Sequence, residues 1–303
     1  MNQPKTSEYL QLHFLVLIWS FTAILGLLIS IPALSLVMYR TAFAAIGLGV
    51  LLLFRKNNIN TPSTDLLKII GVGMLVGLHW ILFFWAARLS NASVCLAGMS
   101  TTSLWTSFLE PLFSRKKIQL LDVFMSLVVI TGLYLIFLFE FSYVLGLLTA
   151  VTSAFFAAFF SSLNGRLTHK HEALVISFYE MIGACFVCIL AVSIYLLVSD
   201  EPASLIPQGY DWLWLIILAL GCTVFPWSLS ITLLRKFSAF AMNLILNLEP
   251  VYGIILAFLF FGEKERMTAG FYVGTLIILL AVLTYPFLSK SLTQKKKSHE
   301  TTN

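Results

Sequence analysis

Apolar residues in this chain fall in long, nearly unbroken blocks, and polar residues collect between them. A helix that crosses a bilayer needs about 20 predominantly apolar residues. On that measure ten runs stand out, at 10–30, 33–54, 66–87, 92–114, 120–139, 142–163, 173–198, 211–233, 238–261 and 268–288. The connections are short, and only 57–65 and 200–211 carry the Pro and polar residues of loops. The first run is too long for the apolar core of a secretion signal and no small-residue cleavage site follows it, so it reads as a retained span. No stretch reads as a soluble domain.

Charge orients these runs. With ten spans, fifteen of the 19 Lys and Arg residues fall on one side, three (Arg88, Lys264 and Arg266) on the other, and Arg40 lies within a span. The positive-inside rule then places both termini in the cytoplasm. Composition agrees: 59% of residues are hydrophobic and 11% charged, against roughly 25% charged in soluble domains. The pI near 9.0 comes from short basic clusters between apolar runs, Arg115-Lys116-Lys117 and Lys295-Lys296-Lys297 among them, so no nucleic-acid partner is expected. Cys95, Cys185, Cys188 and Cys222 all sit inside apolar runs and are expected to be free thiols, with no metal and no cofactor.

The chain also repeats itself. Ala33-Leu34 with Tyr39-Arg40 match Ala173-Leu174 with Tyr179-Glu180 at an offset of 140, and Trp80, Arg88 and Ala92 match Trp227, Arg235 and Ala239 at an offset of 147. Carried forward, the second offset pairs Thr102-Ser103 with Glu249-Pro250, in preference to the superficial match of Glu110-Pro111 with Glu249-Pro250. The second run thus pairs with the seventh, giving five helices per half, and an odd number per half inverts the second half. The expected fold is an all-α integral membrane protein of ten transmembrane helices in two inverted five-helix repeats, residues 1–140 and 141–303, the second with a basic cytoplasmic tail. Inverted repeats are the architecture of many secondary transporters, whose substrate site lies near the midplane between the halves.

Trp19-Ser20 in the first run, Pro32 leading into a helix with Arg40, Asn247-Leu248-Glu249-Pro250 in the ninth run and Phe261-Gly262-Glu263 closing it carry a family likeness. On these residues the chain resembles the EamA-type branch of the drug/metabolite transporter superfamily along its whole length. It departs in the first half, where Ser103 stands in place of a common proline and Arg115-Lys116 in place of a common Gly-Glu. The resemblance implies a multi-pass protein of the bacterial inner membrane that moves amino acids or related metabolites, with export the expected direction.

Ionisable groups at membrane depth are costly and therefore candidates for function. Arg40 and Glu180 hold equivalent positions in the two halves. They either line one solute path, with one of them changing partners during transport, or make fixed helix–helix bonds; a carboxylate in an apolar setting is also a candidate proton carrier. Glu249 sits near the midplane, where Pro250 removes a backbone donor and leaves the Leu246 carbonyl free. Asn243 and Asn247 share a different face of that helix. Ser103, Thr106, Ser107, Glu110 and Ser114 recur at spacings of three and four, predicting a polar stripe on one side of the fourth span. His79 is a candidate proton carrier, and Trp80 and Trp227 are candidates for stacking on a solute. Tyr179, beside Glu180, completes the candidate substrate-binding set. The pairs Gly73/Gly77 and Gly270/Gly274 predict close helix contacts, the latter a face for a weak homodimer if the protein is not a monomer.

The favoured function is secondary transport of a small solute by alternating access, with protons as the candidate coupling ion and the lipid bilayer as surroundings. No GxxxxGK[ST] loop offers an ATP site, and no deep Asp pair, nucleophile turn or metal cluster suggests an enzyme. A lipid flippase, a scramblase or a passive channel of the same fold is the alternative.

Overall fold

The computed structural model describes residues 4–115, 117–139, 141–199, 204–265 and 267–300. Lys116 and Arg266 of the charge count lie outside them. The described residues are helical throughout, with no strand. Six helices run through the first half: α1 (Thr6–Leu28), α2 (Ala33–Arg55), α3 (Ser63–Leu89), α4 (Ala92–Met99), α5 (Thr102–Ser114) and α6 (Leu120–Phe139). Seven follow: α7 (Val144–Leu167), α8 (Ala173–Val198), α9 (Asp211–Ile216), α10 (Phe225–Leu233), α11 (Ala239–Leu246), α12 (Glu249–Phe261) and α13 (Ala269–Glu300).

Among the described residues, 7 stretches are long and apolar enough to cross a membrane: α1, α2, α3, α7, α8, Asp211–Leu233 and Ala239–Phe261. The predicted runs at 120–139 and 268–288 contain shorter apolar stretches, Leu120–Gly132 and Ala269–Tyr285. The predicted run at 92–114 is not one helix. It breaks at Ser100–Thr101 into α4 and α5, and the run at 238–261 breaks at Asn247–Leu248 into α11 and α12.

The two breaks correspond. Each boundary of α4 and α5 falls 147 residues before the matching boundary of α11 and α12. Their N-caps correspond too: the Asn91 side chain accepts from the Val94 N–H at 2.9 Å, and the Ser238 hydroxyl accepts from the Ala241 N–H at 3.1 Å. Arg88 and Arg235 complete the pattern. Arg88 donates to the Gly26 and Ile29 carbonyls where α1 ends, and Arg235 to the Thr168 and His171 carbonyls where α7 ends. The last carbonyls of a helix have no intrahelical donor, so an arginine there both bonds them and meets the negative end of the helix dipole.

Pro226 leaves a similar vacancy within the stretch Asp211–Leu233. It has no N–H to offer the Cys222 carbonyl four residues back. The Trp19 indole N–H donates to that carbonyl instead, at 3.2 Å. The same stretch, Ile217–Val224, is wound as a π-helix, and the Thr223 hydroxyl donates to the Leu218 carbonyl within it.

The halves interlock through α3, which packs along α7 and α8. Gly73 and Gly183 permit this: a Cβ on Gly73 would lie 2.2 Å from the Glu180 carbonyl oxygen, and one on Gly183 2.2 Å from that of Ile70. At that separation only hydrogen fits, so the glycines set the helix spacing. The close helix contact expected of Gly274 on α13 is made within the chain. A Cβ on Gly132 would lie 2.6 Å from the Gly274 carbonyl, so this face of α13 is covered by α6 of the same chain. Outward-facing positions such as Phe54, Leu120 and Leu197 are more than four-fifths exposed, an arrangement that needs lipid around it.

Candidate functional site

Between the halves lies a cavity lined by α1, α2, α3, α4 and α5 from one side and α7, α10, α11 and α12 from the other. About 100 Å³ of it admits the centre of a water molecule, several times the roughly 10–15 Å³ that one water requires. Its walls are aromatic and aliphatic, with Trp19, Trp80, Phe83, Phe160 and Trp227 among them.

Arg40, buried at the eighth position of α2, reaches this cavity. Its Nε donates to the Thr223 hydroxyl at 2.8 Å, and its guanidinium carbon sits 3.8 Å from the centroid of the Trp80 ring. Stacking on an indole face offsets part of the desolvation of the cation. The two terminal guanidinium nitrogens bond no described residue. Trp80 meets Trp227 edge-on at 5.2 Å, and the Trp227 indole N–H donates to Glu180 Oε2 at 2.8 Å. Glu180 itself is fully buried.

His79 has its tautomer set by a neighbour. Its Nδ1 lies 3.1 Å from the Ser153 carbonyl, which can only accept, so Nδ1 carries the proton. The Ser153 hydroxyl, 2.8 Å from the same nitrogen, donates to the His79 carbonyl and accepts from Nδ1–H. Nε2 is left as an acceptor with no partner among the described residues.

Opposite lie the two breaks. Met99, Ser100 and Thr102 line the cavity from the first, and Leu246, Asn247, Glu249 and Pro250 from the second. The Glu249 carboxylate bonds no described residue, although its backbone carbonyl accepts from the Ser20 hydroxyl at 3.3 Å. The Asn243 amide donates to Thr106 and Ser161, both at 2.8 Å, and the Asn247 amide to Ser103 at 3.0 Å.

Of the residues expected from sequence, the structure brings Arg40, His79, Trp80, Trp227, Asn247 and Glu249 to one cavity. Asn243 and Asn247 were expected on a different face from Glu249. The break at Asn247–Leu248 redirects the chain, and all three line the cavity. The expected stripe on the fourth span does not line it. Ser103 and Thr106 are bonded by the asparagines, the Ser107 hydroxyl donates to the Leu104 carbonyl, and Glu110 accepts from the Phe240 N–H at 2.7 Å. That contact satisfies an orphan donor in the first turn of α11. Glu180 lies behind Trp227, and the Tyr179 hydroxyl donates to the Ile59 carbonyl at 3.1 Å, away from the cavity. Sequence reasoning passed over Trp19 as a lining residue, Thr223 and Asn164. The signal for Trp19 was present in Pro226, whose missing N–H calls for a foreign donor at Cys222.

The EamA-like transporter family model matches residues 6–138 and again residues 144–285. The chain belongs to the EamA-like transporter family. It is therefore a multi-pass membrane protein of a family of small-solute transporters, built of two EamA units. No curated protein matches it. Among solved structures, one described only as a crystal structure of a protein aligns at a TM-score of 0.71 and 16% identity, covering 94% of this chain and 99% of that one. At that identity the likeness shows a shared fold and nothing about the solute.

Proposed function

We propose that this protein is a secondary transporter that carries a small zwitterionic metabolite, an amino acid or a close relative, by alternating access. One observation carries the reading: a single cavity between the halves presents an unpaired guanidinium at Arg40 and an unpaired carboxylate at Glu249. A solute with its own carboxylate and ammonium groups satisfies both. A sugar phosphate would call for several cations, and Arg40 is the one Lys or Arg among the lining residues. Trp80, Trp227 and Trp19 enclose the apolar part, and the free His79 Nε2 accepts from an N–H or O–H donor.

In this reading the EamA units are inverted repeats of five spans each, 1–140 and 141–303. The broken α4–α5 completes the count of ten together with α6 and α13. The corresponding breaks and the corresponding arginine clamps support the repeat, and the uneven distribution of Lys and Arg supports the inversion. The protein then sits in a bacterial inner membrane with both termini cytoplasmic, and rocking of the halves exposes the cavity alternately. Export is the proposed direction and protons the proposed coupling ion.

The test is flux into proteoliposomes of purified protein, using labelled amino acids and metabolites with an imposed pH gradient. Saturable uptake of one zwitterionic class, competed by its unlabelled members, supports the reading. Correctly inserted protein that moves none of them, yet scrambles labelled lipid, would falsify it.

A further inference from the structure

Glu180 lies in a polar cluster that the solute cavity does not explain. Trp227 donates to Oε2, while Oε1 is buried with no hydrogen-bond partner. Asn164 stands beside the carboxyl, itself fully buried, and neither atom of its amide has a partner. The two side chains are close enough to interact but are not in hydrogen-bonding geometry. Both Asn164 and Trp227 line the cavity, so the cluster is one residue removed from it.

An ionised Glu180 in this setting is poorly served. It receives one N–H and forms no ion pair with any described residue, although a buried ion costs several kcal/mol unless it is paired. Away from the helix ends, the titratable or charged groups on the packed helices are Tyr39 and Arg40 on α2, Lys68 and His79 on α3, and Tyr179, Cys185, Cys188 and Tyr195 on α8, with none on α7 or α10. None of them bonds it. Arg40 stacks on Trp80 and donates to Thr223, and His79 is held by Ser153. The Asn164 amide can donate to the ionised form as well as accept from the acid, but only the acid leaves no unpaired charge buried. Its hydroxyl at Oε1 can donate to Asn164 Oδ1 while Oε2 still accepts from Trp227, so one proton satisfies two orphaned atoms after a small side-chain rotation.

We propose that Glu180, with Asn164 as acceptor and Trp227 as donor, is a proton-binding site set behind the solute cavity, loaded and emptied by cavity water on the side where Asn164 lines it. Loading takes a proton from cavity water and forms the O–H bond at Oε1; release breaks that bond and returns the proton to water. The site is distinct from Glu249, which faces the solute. Only the coupling of this site to flux rests on the transporter reading.

Tryptophan fluorescence tests the site without any solute. The indole of Trp227 bonds the titrating carboxyl, so its emission should follow the proton. Purified full chain in detergent is titrated with acid and base. Wild type is expected to show a transition that Glu180→Gln and Trp227→Phe both lack; Gln keeps an acceptor for Trp227 and gains a donor for Asn164, mimicking the loaded state. A transition that persists in Glu180→Gln, or none in wild type, overturns the proposal. Counterflow of labelled amino acids at equal pH on both sides then separates the two readings. If wild type shows no counterflow of any solute, the transporter reading fails while the titration still decides the proton site. If wild-type counterflow responds to an imposed pH gradient, that response should be lost in Glu180→Gln; a response that survives there sinks the coupling.

Discussion

Arg40 and Glu180, each the eighth residue of its helix and 140 positions apart, make no contact with each other but are linked through the Trp80–Trp227 pair. The guanidinium stacks on one indole, the carboxyl accepts from the other, and the indoles meet edge to face at 5.2 Å. Each ionisable group thus leans on a tryptophan from its own half, and the halves meet where the tryptophans do. Exchanging the two charges, Arg40→Glu with Glu180→Arg, should therefore leave transport as low as in either single variant. Recovery of wild-type flux in the double variant would show a direct pair that the geometry lacks.

Arg40→Lys should not be conservative. An ammonium cannot donate to Thr223 and lie flat on Trp80 while also presenting two donors to the cavity. The expected result is an increase of roughly tenfold in the concentration of solute needed for half-maximal flux, which corresponds to about 1.4 kcal/mol. Titration of uptake in proteoliposomes checks it, with insertion monitored in parallel.

Glu249→Gln separates binding from stability. The carboxylate bonds no described residue, so removing its charge should leave the thermal unfolding midpoint in detergent nearly unchanged. Solute binding should weaken by about tenfold or more, in line with loss of one charge-assisted bond. A large fall in midpoint with normal flux would assign Glu249 to packing.

Gly73 and Gly71 make an internal control. Gly73 faces the Glu180 carbonyl at a distance no Cβ tolerates, whereas a Cβ on Gly71 would meet nothing within 4 Å. Gly73→Ala should force α3 and α8 apart and cost about 1–3 kcal/mol as an overpacked contact. Gly71→Ala should be neutral or slightly stabilising. Thermal unfolding of the two purified variants distinguishes them, and equal midpoints would show that the α3–α8 contact gives way freely.

Asn243→Ala removes a donor to both Thr106 and Ser161. Interhelical polar bonds in membranes contribute roughly 0.6 kcal/mol on average and at most about 1.7, so a loss within that range is expected. Asn243→Leu should lose as much or more, because the hydroxyls remain buried without their partner. Unfolding in mixed micelles measures both.

Much of the fold was legible in particular positions. Long apolar runs marked the helices because a bilayer rewards nothing else at that length, and the match of Trp80, Arg88 and Ala92 to Trp227, Arg235 and Ala239 set the 147-residue register in which the two breaks correspond. The break at Ser100–Thr101 itself was hidden, since no proline marks it and its residues are individually compatible with a helix. The role of the α5 stripe was misjudged for a related reason: spacing places Ser103, Thr106 and Glu110 on one face, but only the neighbouring α11 decides whether that face meets water or asparagine. Asn164 was invisible because an amide near a predicted helix end reads as a cap, and its meaning depends on a glutamate sixteen residues on.

The α5 stripe also has a consequence for how the chain is made. Its Ser103, Thr106 and Glu110 find their partners on α11 and at the break that follows it, in contacts 144, 137 and 130 residues apart in sequence. While the first half alone has left the ribosome, those groups sit beside lipid or lean on the insertion machinery. The first half should therefore behave as a biogenesis intermediate for more than a hundred residues of synthesis, and arrest or truncation before α11 should expose it to membrane quality control.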